Sequence, residues 1–275
     1  MAIASLKELI EMGVHFGSAA SRWNPKMRPY IFSKQNKIHI IDLRETLKSL
    51  IRSWHFLSQI VAQGKEVLFV GTKRQAADII RQEATRAESY FVCNRWLGGT
   101  LTNMNTMRRR INRLQELEDL EKGGQIQEFS KKMISSLSRE KKKIFRNFEG
   151  IRNMQDTPGA LVIVDPATEH IAVAEANKLG IPLVGIVDTD DDPTMLDFVI
   201  PGNDDAYCAI HYLVSKLADA VCEGRKNRLI QATLRQRSQA AAADAKAAEK
   251  PEDKGIETPA DFSNVGGFSY GGSSD

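Results

Sequence analysis

The sequence predicts an α/β fold: a mostly parallel sheet with helices on both faces, interrupted by a protruding helical, coiled-coil-like hairpin and followed by a tail. Three observations carry this. Short continuous apolar runs (Val67–Val70, Ala160–Val164, Leu183–Val187) read as strands buried on both faces. Between them, apolar residues recur at spacings of three and four, the mark of covering helices. Residues 102–152 break that alternation with two amphipathic segments around Gly123 and Gly124.

Taken in order, residues 1–17 mix apolar positions with Lys7, Glu8 and Glu11 and predict a short amphipathic helix, not a signal peptide. In residues 13–30, Pro25 and Pro29 exclude a long helix, so a loop ordered by itself or by a partner is expected. Ile38–Ile41 is a short apolar run. Leu47, Leu50, Ile51, Trp54, Leu57 and Val61 then form a helical stripe stopped by Gly64. The strand Val67–Val70 leads through Gly71, Thr72, Lys73 and Arg74 into a helix reaching about Glu88, and Tyr90–Val92 makes the next strand.

In the hairpin, Met104, Met107, Ile111, Leu114, Leu117 and Leu120 face Ile134, Leu137, Ile144, Phe148 and Ile151, with Lys141 interrupting the seam. So narrow a seam suits two helices paired with each other. The strand Ala160–Val164 then ends at Asp165, Thr168 caps a helix closed by Gly180, and Leu183–Val187 ends at Asp188. Residues 198–200 form the last strand, and residues 204–221 the next helix. This gives a body of 1–101 and 153–225, a hairpin insertion of 102–152, and a fraying helix with a disordered tail over 226–275, the disorder starting near Ser238.

Charge is unevenly placed. Residues 22–74 carry +8, residues 101–150 carry +5, and residues 155–225 carry −10, within a net charge of +3. A basic first half on an acidic second half is the footprint of a molecule with one face turned to a polyanion. No apolar run has the length of a membrane span. Three cysteines without CxxC spacing argue against a disulfide framework and fit a reducing cytoplasm.

The candidate contacts lie on loops. Arg22, Trp23, Lys26, Arg28 and Tyr30 interleave cations with rings, the composition that grips a backbone and stacks on exposed bases; the rings could equally pack on the core. Thr72, Lys73 and Arg74 open a helix, where a backbone phosphate could sit. Residues 94–110, NRWLGGTLTNMNTMRRR, place Arg95 beside Trp96, give two glycines for φ > 0 or close approach, offer Thr102 or Asn103 as a cap, and open a helix with Arg108, Arg109 and Arg110. Arginines there oppose the helix dipole, so their placement points to an anionic partner.

Enzymatic signals are thin. Asp188 and Asp190 follow a strand, as in a Mg-dependent phosphohydrolase of the haloacid-dehalogenase type, with Asp204 and Asp205 available to complete a metal site. Their order in the chain is wrong for such an enzyme, and no Lys or Arg stands between Lys178 and Lys216. There is no GxGxxG, GxxxxGK[ST] or HExxH. No catalytic residue, metal site or cofactor is expected.

The segments GVHFG, RWNPKM, FVGTKRQA, NRWLGGTLTN, VDPATEHIAVAEANKLGIP, IVDTDDDP and DFVIPGNDDA follow one another as in the bacterial small-subunit ribosomal protein two family. The resemblance runs from about Leu6 to Gly224. It implies a flavodoxin-like body with a helical hairpin and no catalysis. It also implies a place at the head–body junction of the small subunit, in contact with ribosomal RNA and with neighbouring ribosomal proteins, including ribosomal protein one. Neither a membrane nor a homo-oligomer is implied. Arg22, Trp23, Lys26 and Arg28 match the family's basic loop, Lys73 and Arg74 its GTKR turn, and Arg95, Trp96 and Asn103 its RWLGGTLTN motif. Two positions depart: Ser18 stands where histidine is expected after HFG, and Glu149-Gly150 where a glycine pair is expected.

Overall fold

The computed structural model describes residues 4–124 and 129–248. The chain divides into two units, Met1–Gln231 and Ala232–Asp275. In the first, a five-stranded parallel sheet is built from β4 (Val67–Val70), β5 (Tyr90–Val92), β6 (Ala160–Val164), β7 (Leu183–Val187) and β8 (Phe198–Pro201). Its spatial order is β5-β4-β6-β7-β8, so the chain reverses direction across the sheet between β4 and β6. That is the flavodoxin-like arrangement.

Strand alternation splits the apolar residues between two layers. Val67, Phe69, Val162, Val164, Val184 and Ile186 point to one face. There they meet α2 (Leu43–Ala62), α3 (Arg74–Arg86) and the first turns of α7 (Tyr207–Ala248). Leu68, Val70, Leu161, Ile163 and Leu183 point to the other face. They meet α6 (His170–Leu179) and the hairpin helices α4 (Met104–Lys122) and α5 (Lys131–Phe148). The seam residues Leu114, Leu117, Leu137, Ile144 and Phe148 therefore bury themselves in the same core as the sheet.

Four local expectations change. The stretch 13–30 is not all loop: it holds a strand, β1 (Phe16–Ala19), and a 3-10 helix, Pro25–Tyr30. With β2 (Ile31–Gln35) and β3 (Ile38–Ile41), β1 forms a separate antiparallel sheet, ordered β1-β3-β2. The β2–β3 turn is made by Asn36 and Lys37, both at positive φ (46° and 66°), which is hairpin geometry without a glycine to announce it. Helix α6 is entered through Asp165, whose carboxylate accepts from both the N–H and the hydroxyl of Thr168, so Thr168 is not the cap. Helix α4 begins at Met104, which moves Arg108, Arg109 and Arg110 beyond its first turn, where the dipole is weak. Finally, α7 runs to Ala248, past Ser238, because the Ala-rich stretch there has high helix propensity. The tail expected beyond Ala248 lies outside the described residues.

Candidate nucleic-acid interface

Two carboxylates organise the basic loops from inside. The first is Glu175 on α6. Its Oε1 accepts from the Gly99 N–H (2.7 Å) and the Trp96 indole N–H (3.2 Å). Its Oε2 accepts from the N–H groups of Leu101 (3.0 Å) and Thr102 (3.1 Å) and from the Thr102 hydroxyl (3.1 Å). Burial alone would raise this carboxyl, but its donors outweigh burial and hold it below the usual glutamate range. The turn 94–103 thus wraps a buried anion. Gly99 enters it at φ +87°, which a side chain would strain, and Asn103 closes it by capping α4 through its Oδ1.

The second organiser is a cluster at the carboxyl ends of the parallel strands. Lys73 Nζ lies 3.4 Å from Asp165, 3.0 Å from Asp204 and 2.6 Å from Asp205. Burial would lower its pKa, yet Asp205 and Asp204 prevail and raise it above the ordinary lysine value. Glu169 accepts from the Thr72 N–H at 2.5 Å. The crevice beside the strand reversal, where open α/β sheets hold their ligands, is therefore filled by the chain's own ion pairs. Carboxylate oxygens of Asp165, Asp191 and Asp204, and of Asp188, Asp204 and Asp205, come close enough together to share a cation, and Lys73 already supplies one positive charge there.

Asp188 is 2% exposed and accepts from the Ser18 N–H, the Ser18 hydroxyl and the Thr189 N–H. Burial pushes it up. Ser18 Oγ also lies 3.0 Å from Asp190, so its one proton is shared by two acceptors. Asp191, buried and near Asp165, is raised to about 7.

Against this frame the predicted contact residues separate. Arg22, Arg28, Arg74, Arg95, Arg109 and Arg110 are exposed and have no side-chain partner among the described residues. Lys26 is exposed and paired with Asp192 at 2.6 Å, which holds that carboxyl at about 2. Such a pair is worth under about 1 kcal/mol, so a phosphate can displace Asp192 at little cost. Arg108 donates to the Gln155 carbonyl. Trp23 is half-buried and stacks on His39, centroids 5.2 Å apart. Two expectations are corrected. Trp96 is 6% exposed and belongs to the core, so its ring is no stacking platform. Lys73 is saturated by carboxylates and the Thr72 N–H is taken by Glu169, which leaves Arg74 as the free cation of that helix start. The lysine absent from the sequence around Asp188 is brought to the acidic cluster by topology, not by chain order. Glu175 was not singled out in the sequence; its one signal is an acid set among the alanines of a buried helix face.

Residues 9–224 match the family described as Ribosomal protein S2. The chain belongs to that family. The small ribosomal subunit protein uS2 of Rhodopirellula baltica is 52% identical over 225 residues, covering 82% of this chain and 86% of the relative. The match to the S2 family takes in Glu175, the turn it holds, the Lys73 cluster and the whole described hairpin. It stops at Gly224, within α7. Among the described residues, no helix is long and apolar enough to cross a membrane.

Proposed function

We propose that this chain is a non-catalytic structural constituent of the small ribosomal subunit. It binds ribosomal RNA at the head–body junction, touches neighbouring ribosomal proteins including ribosomal protein one, and supports translation in the cytoplasm. One observation carries the reading beyond family membership. Exposed guanidinium groups on four separate segments (Arg22 and Arg28, Arg74, Arg95, Arg109 and Arg110) stand without side-chain partners among the described residues, while Lys73 is paired with three carboxylates. Contacts spread in this way suit a protein laid along a folded RNA and held by phosphates. The hairpin 102–152 acts as an insertion in the body formed by 1–101 and 153–225, with 226–275 as its tail.

A phosphohydrolase using Asp188 and Asp190 is a poorer reading. A nucleophilic carboxylate needs an approachable oxygen, and those of Asp188 are taken by Ser18 and Thr189. Gradient sedimentation of a cell lysate tests the proposal. The chain is expected to travel with the small subunit, one copy per particle, through a moderate salt wash. Recovery only as free protein at the top of the gradient would refute it.

A further inference from the structure

We propose that one face of α5 is a second RNA contact, built to lie along the backbone of an RNA duplex; this rests on the RNA-binding reading above. Helix α5 holds seven cations (Lys131, Lys132, Arg139, Lys141, Lys142, Lys143 and Arg146) and one acid, Glu140. They are not evenly spread. Lys132, Arg139, Lys143 and Arg146 follow at spacings of seven, four and three, which gathers them within a sector of about 60° over a length of about 21 Å. The buried residues Leu137, Ile144 and Phe148 lie roughly 140° round the helix, in the core.

All four stripe residues are exposed. Lys132, Lys143 and Arg146 have no side-chain partner among the described residues, and Arg139 meets only the Ser135 hydroxyl one turn away. Elsewhere in the hairpin Lys141 is matched with Glu121, Arg113 with Glu116 and Glu140, and Arg152 with Glu118, while Arg109, Arg110, Lys131 and Lys142 are exposed without a side-chain partner among the described residues. Glu140, the only acid of α5, is thereby turned away from the stripe. Neighbours such as Arg139 and Lys143, or Lys143 and Arg146, repel across one turn, so the stripe is unfavourable until an anion arrives. No ring lies on it. A single strand would call for stacking platforms, whereas a straight rail of cations suits the phosphates and sugars of a folded duplex.

The test uses the full chain with Lys132→Gln, Arg139→Gln, Lys143→Gln and Arg146→Gln together. The probes are isolated small-subunit ribosomal RNA, a generic RNA duplex of about two turns and a single-stranded oligonucleotide, each titrated across a range of KCl. Four lost phosphate contacts should flatten the log–log salt slope on the duplex by up to about 3.6. Interchanging lysine and arginine at the same four positions should leave it intact. Neutralisation relieves repulsion, so the variant is expected to fold. If it melts early, Lys143→Gln with Arg146→Gln should show about half the change. An unchanged slope in a folded variant would overturn the stripe alone, and a change confined to the single strand would overturn the duplex assignment. A parent chain that binds none of the probes would overturn the RNA-binding reading itself.

Discussion

Glu175 is the residue on which the 94–103 turn most depends, because four N–H groups and a hydroxyl converge on its two oxygens. Removing it orphans buried donors, each worth about 1–3 kcal/mol. Glu175→Ala is expected to lower unfolding stability by about 3–5 kcal/mol in a urea melt, and Glu175→Gln by less, since an amide oxygen still accepts. A loss below about 1 kcal/mol for the alanine would show that the turn stands without its anion. Asp191 acts in the opposite sense. Burial, aided by Asp165, raises it to about 7 in the folded chain from 3.8. Between those values the folded state binds more protons than the unfolded one, so this group favours the fold at low pH and that advantage is lost as pH rises through about 7. Asp191→Asn should therefore stabilise the protein at pH 8 by on the order of 2 kcal/mol and leave stability near pH 4 almost unchanged. Its amide oxygen can still accept from the Asp188 N–H. Equal stability of the two proteins at both pH values would contradict this.

At the scale of elements, α4 bears Arg109 and Arg110 on exposed turns beyond its cap. Arg109→Glu with Arg110→Glu should leave the helix signal in circular dichroism unchanged. RNA binding should weaken and its salt slope flatten by roughly 0.7–0.9 per lost contact. An unchanged slope would mean that those side chains face solvent. The return from the hairpin makes a different demand. A Cβ on Gly150 would run into the carbonyl oxygen of Phe91 on β5, so Gly150→Ala should destabilise by about 1–3 kcal/mol in thermal unfolding. Glu149 beside it has room and faces Arg81 at 3.7 Å, so only one glycine of the expected pair is sterically required. The parallel strands were legible because β4, β6 and β7 are buried along their whole length and their sequences are continuous apolar runs. The antiparallel sheet was not legible: β2 reads IFSKQ, with Phe32 72% exposed, and its turn uses Asn36 and Lys37 in place of glycine. The candidate contacts were legible as cations on loops. Which of them turn inward was not, because Trp96 and Lys73 are drawn in by Glu175, Asp204 and Asp205, partners far away in sequence.

For the whole molecule, the charge split seen in the sequence resolves into two kinds of acid and two kinds of base. Part of the acidic second half is spent inside, where Asp165, Asp188, Asp191, Asp204 and Glu175 are buried at the carboxyl ends of strands or against the turn. That internal acid fixes Lys73 and the 94–103 backbone, while Arg22, Arg28, Arg74, Arg95, Arg109 and Arg110 stay outside without side-chain partners among the described residues. We propose that the outer, unpaired cations bind RNA and that the inner, paired groups hold the fold. The most direct measurement compares two full-length variants, Arg22→Gln with Arg95→Gln, and Lys73→Gln alone. Each is assayed for thermal stability and for the salt dependence of binding to small-subunit ribosomal RNA. The first variant is expected to keep its melting temperature and to lose salt slope, by about 0.7–0.9 for each contact removed. The second should lose stability by several kcal/mol, since uncompensated buried carboxylates remain, and keep the parent slope under conditions where it is folded. The reverse pattern, an unstable first variant with its slope intact or a stable second variant with its slope reduced, would contradict it.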